Sequence, residues 1–257
     1  MEYKLVNKDN KRYIIVPRIM ELGLNHCFTT IDMDMSINTN GSIESLKQNL
    51  NHIYDFLGEK PKILFSGKQV HSSNIEIIKD ISQGMTNELG QYIPDTDGLI
   101  TDKKNIALIS RFADCIPILI YDPVKKVHAN IHSGWKGTLG GIGIKGIDLL
   151  ISKFNSRPED LIAVLGPSIS KEDFEVESDV MEMFKTIFEF YNQVITQKNE
   201  IKYLIDLKGI YRVLLRDRGI LDENIISINL STYSTEYLHS YRRDKSKFGL
   251  MSVVSFL

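Results

Sequence analysis

The chain contains little cysteine and little proline, and it has a single tryptophan. Its 257 residues include only two cysteines, Cys27 and Cys115, which lie 88 positions apart. Two distant cysteines do not form the disulfide framework of a small secreted domain, and free thiols are typical of a reducing compartment. We therefore expect a cytoplasmic protein with unpaired cysteines.

Long apolar runs and an excess of positive charge are also absent from the sequence. No stretch approaches the ~18 apolar residues of a transmembrane helix, and the first residues lead into no apolar signal segment. Lys and Arg total 31 against 33 Asp and Glu, for a formal net charge of −2. A chain without a basic excess has little electrostatic support for binding nucleic acid. We therefore expect neither a membrane nor a nucleic-acid partner.

Short β-type runs and amphipathic helical runs alternate irregularly along the chain. A length of 257 residues with 42% hydrophobic residues is compatible with one domain over residues 1–257. Hydrophobic spacing and boundary residues predict helices at 42–57, 143–154, 178–190 and 206–219. Strands are predicted at 13–16, 62–65, 74–78, 106–109, 117–121, 127–131, 161–165, 225–228 and 250–256. Because a regular strand–helix alternation is missing, we expect an α+β fold, a single domain of layered mixed β-sheets flanked by helices.

Three residues at the ends of apolar runs are the strongest candidates for chemistry: His71, Cys115 and His132. Two imidazoles and one thiolate form the ligand set of a catalytic zinc ion that keeps its fourth position open. Their spacing matches no zinc-finger pattern, so the residues alone leave structural roles open. His128 competes with His132, but four positions along a strand separate them by ~13 Å. We favour His132 because it lies where the strand ends.

The neighbours of these residues supply candidate binding groups. Trp135 is either a core aromatic residue or a platform beside the site. Lys136 precedes a glycine-rich turn that could receive an anion such as phosphate. Asp114 could orient a metal-bound histidine through a hydrogen bond. Arg242 and Arg243 are adjacent, so their side chains diverge and only one of them is expected to face a pocket.

One further acidic segment, Asp95-Thr96-Asp97-Gly98, is typical of a turn before a strand. We predict that role for it. The same segment, continued as Asp97-Gly98-Leu99-Ile100-Thr101, also takes part in a wider pattern of motifs along the chain.

Six motifs follow one another in a fixed order from Gln69 towards the C-terminus. They are Gln69-Val70-His71, Asp97-Gly98-Leu99-Ile100-Thr101, Ala113-Asp114-Cys115-Ile116-Pro117, His132-Ser133-Gly134-Trp135-Lys136-Gly137, Leu165-Gly166-Pro167-Ser168-Ile169 and Ser240-Tyr241-Arg242-Arg243-Asp244. Together they resemble the laccase-domain or polyphenol-oxidase-like family. Members of that family are also described as purine nucleoside phosphorylases and, in some bacteria, as peptidoglycan editing factors.

The resemblance implies one domain of layered mixed sheets and a metal site formed by His71, Cys115 and His132. It also implies phosphorolysis of adenosine, inosine and methylthioadenosine, with adenosine deamination as a side activity. The chain departs from the family at Lys136, where an arginine is usual, and at Asp34 in Met33-Asp34-Met35-Ser36, which replaces the usual Leu-Asn-Leu-Gly. Because ammonium is a point charge and guanidinium a fork, Lys136 would hold an anion less firmly.

Our leading hypothesis is a zinc-dependent purine nucleoside phosphorylase, with copper as the alternative metal. Its partners would be small purine nucleosides and phosphate, the phosphate being held by Lys136 and by one of Arg242 and Arg243. The first alternative is a copper-dependent polyphenol oxidase, although a multicopper site would need more histidines than the four that remain. The second is a cysteine hydrolase acting on peptidoglycan precursors, with Cys115 as nucleophile. The third is a non-enzymatic metal-binding or partner-binding protein, which a fourth protein ligand would favour, and the sequence offers no convincing candidate for one.

Overall fold

The computed structural model describes residues 2–36 and 42–257. Within these ranges the strands are β1 (Lys4–Lys8), β2 (Lys11–Ile15), β3 (Asn25–Thr29), β4 (Ile63–Gly67), β5 (Ile75–Ile77), β6 (Met85–Asn87), β7 (Gly90–Ile93), β8 (Gly98–Thr101), β9 (Ile106–Phe112), β10 (Ile116–Asp122), β11 (Val127–Ser133), β12 (Ile162–Leu165), β13 (Glu175–Glu177), β14 (Ile195–Gln197), β15 (Lys202–Ile205), β16 (Ile225–Ser227) and β17 (Met251–Phe256). The α-helices are α1 (Pro17–Glu21), α2 (Ile43–Leu57), α3 (Trp135–Leu139), α4 (Ile142–Phe154), α5 (Ser178–Ile187), α6 (Tyr191–Val194), α7 (Leu207–Asp217) and α8 (Tyr241–Asp244). None of these helices is long and apolar enough to cross a membrane.

The strands form two large sheets and one small one. The eight-stranded sheet has the order β1-β2-β3-β17-β9-β4-β7-β6, and the six-stranded sheet has the order β16-β12-β10-β11-β8-β5. Both are mixed: in the eight-stranded sheet β9 is parallel to β4 but antiparallel to β17, and in the six-stranded sheet β12 is parallel to β16 but antiparallel to β10. The third sheet contains β13, β15 and β14. The predicted α+β fold of layered mixed sheets is thus confirmed, and every predicted strand and helix overlaps an observed one.

Helix α2 shows how local sequence sets an element. The Ser42 hydroxyl accepts a hydrogen bond from the Ser45 backbone N–H at 3.1 Å and caps the first turn. Gly58, at φ 77°, ends the helix in the left-handed region, where glycine has no steric penalty. The buried face of the helix, which includes Leu46 and Leu50, packs into the core of the eight-stranded sheet. Burial of this apolar stripe supplies most of the stability of such a helix.

The six-stranded sheet is covered by helices on one face and by the eight-stranded sheet on the other. Strand β11 shows both environments, because successive side chains of a strand point to opposite faces. Its apolar residues Ala129 and Ile131 belong to the core that contains α4 and α7. Asn130, between them, contacts the eight-stranded sheet. Its Nδ2 donates to the carbonyl oxygens of Leu108 and Val253.

The polar layer around Asn130 fixes the two sheets relative to each other. Besides the two carbonyl contacts, at 3.2 and 3.0 Å, the Asn130 Oδ1 accepts a hydrogen bond from Ser110 at 2.7 Å. These groups are buried, so separating the sheets would leave several polar atoms without partners, and each such loss is costly. The layer therefore holds the middle of β11 against the middle of β9 in one register.

Three connections carry the chain from the eight-stranded sheet into the six-stranded one: β4 to β5, β7 to β8, and β9 to β10. Each connection contains a non-glycine residue in the left-handed region, namely His71 (φ 60°), Asp95 (φ 47°) and Asp114 (φ 83°). Such residues are uncommon and tend to occur at functional sites. We call this set of connections the sheet joint.

Buried His26 makes stability depend on pH. Its Nε2 accepts a hydrogen bond from the Val16 N–H, and its Nδ1–H donates to the Leu24 carbonyl. The ring is therefore neutral, and burial lowers its pKa from 6.5 to about 4. In the unfolded chain His26 binds a proton near pH 6.5, whereas the folded chain resists protonation until about pH 4. We therefore expect His26 to lower the free energy of unfolding by roughly 3 kcal/mol as the pH falls from 7 to 4.

Chemical denaturation across this pH range would measure the effect. His26→Gln should lose less stability than the wild type between pH 7 and 4, even if it is less stable at pH 7. The exposed His52 provides the control, because His52→Gln should keep the wild-type slope. Identical slopes for wild type and His26→Gln would contradict the prediction.

Candidate functional site

The sheet joint brings together His71, Cys115 and His132. One potential ligand atom from each lies within 4.8 Å of the others, and the two imidazole centroids are 5.0 Å apart. His71 belongs to the β4–β5 connection and Cys115 to the β9–β10 connection, while His132 is the penultimate residue of β11. His132 is buried, Cys115 is partly buried and His71 is exposed. The cluster thus has one open side.

Asp97 organises this cluster from the β7–β8 connection. Its Oδ1 accepts hydrogen bonds from the His132 Nδ1–H at 2.9 Å and from the His71 backbone N–H at 3.1 Å. Its Oδ2 accepts three more, from the Val70 N–H and from the N–H and hydroxyl of Ser72. Asp97 therefore fixes the His132 tautomer and the backbone of His71 at once, and it leaves the His132 Nε2 facing the cluster.

The charges in the cluster are strongly coupled. Burial alone would raise the pKa of Cys115, but the two histidines, His132 foremost, lower it to about 6. Burial alone would lower the pKa of His132, but Cys115 and Asp97 raise it to about 9. Hydrogen bonds from His132, Ser72 and Val70 outweigh burial at Asp97 and lower its pKa to about 2. Near neutral pH, the arrangement favours a Cys115 thiolate beside a charged His132.

The donor set fits a single metal ion. In a tetrahedral zinc site, bonds of about 2.0–2.3 Å place the ligand atoms roughly 3.3–3.8 Å apart. The ligand atoms of His71, Cys115 and His132 lie within 4.8 Å of one another, so small side-chain movements would bring them to these distances. A thiolate is the form of cysteine that binds metal. The carboxylate on His132 Nδ1 is the usual outer partner of a metal-bound histidine. Of the described residues, only these three form a candidate cluster.

Gly134 is required by the close packing of the cluster. A Cβ at this position would lie 2.8 Å from His71 Cδ2 and 3.0 Å from Cys115 Sγ, so a methyl group there would push two candidate ligands apart. We expect Gly134→Ala to reduce metal affinity at least about 10-fold, as misplaced ligands do. Gly137→Ala is the matched control, because its Cβ would make ordinary contacts of 3.4 Å or more. Competition with a chelator measures both, and equal affinities would refute the packing argument.

The cluster opens into a large cavity of roughly 1080 Å³. Its volume is at the upper end for pockets that hold small molecules. Six aromatic side chains line it: Tyr92, Phe112, Trp135, Phe174, Tyr241 and Phe248. Trp135 thus faces the cavity beside the site, and the aromatic lining offers flat apolar surfaces to a planar ring.

The structure separates the three cations that were predicted to bind phosphate. Lys136 is exposed and does not line the cavity; its Nζ lies 5.5 Å from the centroid of the Trp135 ring. Arg243 points elsewhere, donating to the Asp244 carboxylate and to carbonyls of residues 232–238. Arg242 lines the cavity, with its guanidinium 5.6 Å from the Phe174 centroid. Of the two arginines, Arg242 is therefore the one that faces the cavity, whereas the predicted phosphate contact from Lys136 lacks a geometric basis.

Asp114 does not orient a histidine, contrary to the prediction. Its Oδ1 accepts from the Thr232 hydroxyl at 2.6 Å, and its Oδ2 accepts from the Arg242 N–H at 2.7 Å. The left-handed backbone of Asp114 turns its carboxylate towards the C-terminal segment, although Cys115 is its neighbour in sequence. Asp114 instead holds the segment around Arg242 against the cavity, and Asp97 takes the orienting position.

Sequence reasoning assigned no role to Gln69, which appeared only as part of a motif, and did not consider Arg111. The Gln69 side chain donates to the Arg111 carbonyl at 2.7 Å and accepts from its N–H at 2.8 Å. This pair ties the β4–β5 connection, which carries His71, to the end of β9, which leads to Cys115. One sequence signal for Arg111 was available: it closely follows the apolar residues of the strand predicted at 106–109. A charge placed so close to a buried strand usually has a specific partner or function.

Comparisons with known proteins agree with this architecture. Residues 26–257 match the family model described as multi-copper polyphenol oxidoreductase laccase. The chain is 33% identical to the purine nucleoside phosphorylase YlmD of Bacillus subtilis over 79% of this chain and 74% of that protein. It is 30% identical to human purine nucleoside phosphorylase LACC1 over 79% of this chain, but that match spans only 46% of the human protein.

A solved structure shares the whole fold. The hypothetical protein YfiH of Bacillus licheniformis has a TM-score of 0.88 and 26% identity, with 97% of each chain covered. The match to the family model covers nearly all of the chain, including the His-Cys-His cluster and its Asp97 partner. The chain therefore belongs to the multi-copper polyphenol oxidoreductase laccase family, whose relatives include proteins named purine nucleoside phosphorylases.

Proposed function

We propose that this protein is a zinc-dependent purine nucleoside phosphorylase that cleaves adenosine, inosine and methylthioadenosine with phosphate, with adenosine deamination as a side activity. The observation that carries the proposal is the convergence of His71, Cys115 and His132 within 4.8 Å at the wall of an aromatic-lined cavity. The names of the relatives support the phosphorylase reaction.

In this proposal His71, Cys115 and His132 hold the metal, which supplies Lewis acidity when bound. Asp97 keeps the His132 Nδ1 protonated and directed away from the metal. Trp135 and Phe174, on the cavity wall, provide surfaces against which a purine stacks. Asp114 holds the backbone of Arg242 at the cavity edge. The largely apolar wall limits water around the nucleoside and so favours transfer to phosphate over hydrolysis.

The direct test combines metal analysis with product analysis. Purified protein should contain close to one zinc per chain, and adenosine with phosphate should yield adenine and ribose 1-phosphate. Omitting phosphate should abolish adenine formation but leave inosine formation, because deamination uses water. Absence of ribose 1-phosphate at full zinc content would overturn the phosphorylase assignment, and copper in place of zinc with oxidation of a phenol would favour the oxidase.

A second candidate function is supported by the arrangement of Asp97, His132 and Cys115: Asp97 is hydrogen-bonded to the His132 Nδ1 at 2.9 Å, and a candidate ligand nitrogen of His132 lies within 4.8 Å of the Cys115 Sγ. A carboxylate, an imidazole and a thiolate in this order also form a nucleophilic triad, as a cysteine hydrolase acting on peptidoglycan precursors would need. Alkylation separates the two functions. A metal-bound thiolate should react slowly with iodoacetamide and quickly after chelation. Rapid alkylation at full metal occupancy, with a trapped acyl-enzyme, would favour the hydrolase.

A further inference from the structure

Arg111 is a cavity cation that has no acidic partner in the part of the chain that the structure describes. It is the penultimate residue of β9, four positions before Cys115, and it lines the same cavity as the His-Cys-His cluster. Its side chain is partly buried, and burial lowers its pKa to about 10 without any acidic group to offset the effect. Among the described residues, its guanidinium forms no ion pair.

The remaining contacts of Arg111 fix it firmly but leave its outer end available. The Gln69 side chain donates to the Arg111 carbonyl oxygen at 2.7 Å and accepts from the Arg111 backbone N–H at 2.8 Å. Within the guanidinium, Nε donates to the Met35 carbonyl at 2.9 Å. That contact anchors the inner edge of the group. The two terminal nitrogens, which form the fork that suits phosphate oxygens, have no side-chain acceptor in the described ranges.

Other cations of the cavity are arranged differently. Lys202 pairs with Glu177 at 2.9 Å and with Glu175 at 3.7 Å. Arg242 is exposed, and its Nη1 donates to the Glu175 carbonyl at 3.0 Å while its guanidinium lies over Phe174. Lys68 also lines the cavity but is exposed. Of the cavity cations in the described part of the chain, only Arg111 combines burial with the lack of a carboxylate. An unpaired, desolvated charge is costly to keep, and an incoming anion would offset that cost.

We propose that Arg111 is the residue that binds the phosphate dianion, holding it as a fork through its two terminal nitrogens. The inference rests on the proposed phosphorylase function, in which phosphate is the only anion because purine nucleosides are neutral. In that reaction a phosphate oxygen forms a bond to C1′ of the ribose as the C1′–N9 bond breaks. The electron pair leaves with the purine, which takes a proton from solvent. Arg111 touches the attacking group and orients it.

The binding test uses the zinc-loaded protein and inorganic phosphate as the probe. Isothermal titration should show phosphate binding to the wild type, a loss of roughly 10- to 150-fold in affinity for Arg111→Gln, and a smaller loss for Arg111→Lys, which keeps charge without the fork. Arg157→Gln is the control, since Arg157 pairs with Asp160 on the surface, and it should bind as the wild type does. Equal phosphate affinity in Arg111→Gln and wild type would overturn the proposal.

Kinetics separate this proposal from the proposed function. Arg111→Gln should raise the KM for phosphate by the same factor while the KM for adenosine stays within about two-fold and the zinc content is unchanged. If the wild type binds phosphate through Arg111 but forms no ribose 1-phosphate, the phosphorylase assignment fails and the anion site stands. A parallel titration with adenosine 5′-monophosphate identifies the source of the anion: Arg111-dependent binding of the nucleotide but not of inorganic phosphate would overturn the proposal.

A measurement on the unaltered protein covers the case in which Arg111→Gln does not fold. Phenylglyoxal modifies accessible arginine side chains, and peptide mass spectrometry reports each site. Phosphate at saturating concentration should slow modification of Arg111 at least several-fold and leave that of Arg157 unchanged. Equal rates at Arg111 with and without phosphate would contradict the proposal.

Discussion

Replacing Cys115 with serine is expected to remove most of the bound metal and nearly all activity while the fold survives. Serine is close in size, but its hydroxyl is not deprotonated near neutral pH and is a poor ligand for zinc, which is bound by thiolate. We expect metal affinity to fall by at least about 100-fold, more than the 10- to 100-fold typical of losing an outer partner. The side chain is only partly buried, so the thermal midpoint of the metal-free protein should change little.

The second cysteine provides a matched control for this experiment. Cys27 lies in the core of the eight-stranded sheet and contacts no candidate ligand. Cys27→Ala should therefore lower stability somewhat, through a small cavity, but retain metal and activity. Zinc content by atomic emission, with circular dichroism for the fold, distinguishes the two effects. One equivalent of tightly bound zinc in Cys115→Ser would show that the thiolate is not a ligand.

Replacing Asp97 with asparagine is expected to be nearly as damaging, although Asp97 is not a candidate ligand. Each carboxylate oxygen of Asp97 faces only donors: His132 Nδ1–H and the His71 N–H on one side, and the groups of Ser72 and Val70 on the other. An amide NH₂ would oppose donors in either orientation. We expect metal affinity to fall about 10- to 100-fold and the free energy of unfolding to fall by about 3 kcal/mol, since the network is buried.

Asp95 is the control for this second substitution. It is exposed and lies in the same connection, and asparagine tolerates its left-handed backbone. Asp95→Asn should thus keep wild-type metal affinity and stability. Chelator competition and urea denaturation give both quantities for each variant. If Asp97→Asn matched Asp95→Asn in both measurements, the orienting role of Asp97 would be refuted.

Elements with strong local signals could be predicted from the sequence, whereas pairing between distant segments could not. Helix α2 was predicted at 42–57 and observed at Ile43–Leu57, because the sequence contains both of its caps, Ser42 and Gly58, and the apolar stripe between them. Strand β3 was missed because Asn25-His26-Cys27 lacks the branched residues of a typical strand. The division of β4 and β5 between two sheets has no local signal, because it depends on which strands lie beside them.

The candidate site divides along the same line. His71, Cys115 and His132 could be identified from residue type, strand-end position and the family motifs. Asp97 was interpreted as a turn residue, which it also is, because its hydrogen bonds cross to segments about 25 and 35 residues away. Asp114 was predicted to orient a metal-bound histidine because it precedes Cys115 in the sequence. That position does not place its carboxylate beside a histidine, and Asp97 orients His132 instead. Roles that arise from contacts across the sheet joint need the fold itself.

Because the candidate ligands come from separate connections of the sheet joint and from β11, metal binding would also report whether the two large sheets have docked. His71 and Cys115 come from two different connections and His132 from β11, so the cluster exists only when both large sheets have docked. A metal ion that contacts all three recognises the docked chain and not one with separated sheets. By mass action such an ion, at a hundred times its dissociation constant, would add about 2.7 kcal/mol to the unfolding free energy. During refolding, acquisition of the metal would therefore follow the docking of one sheet on the other and report that it has occurred.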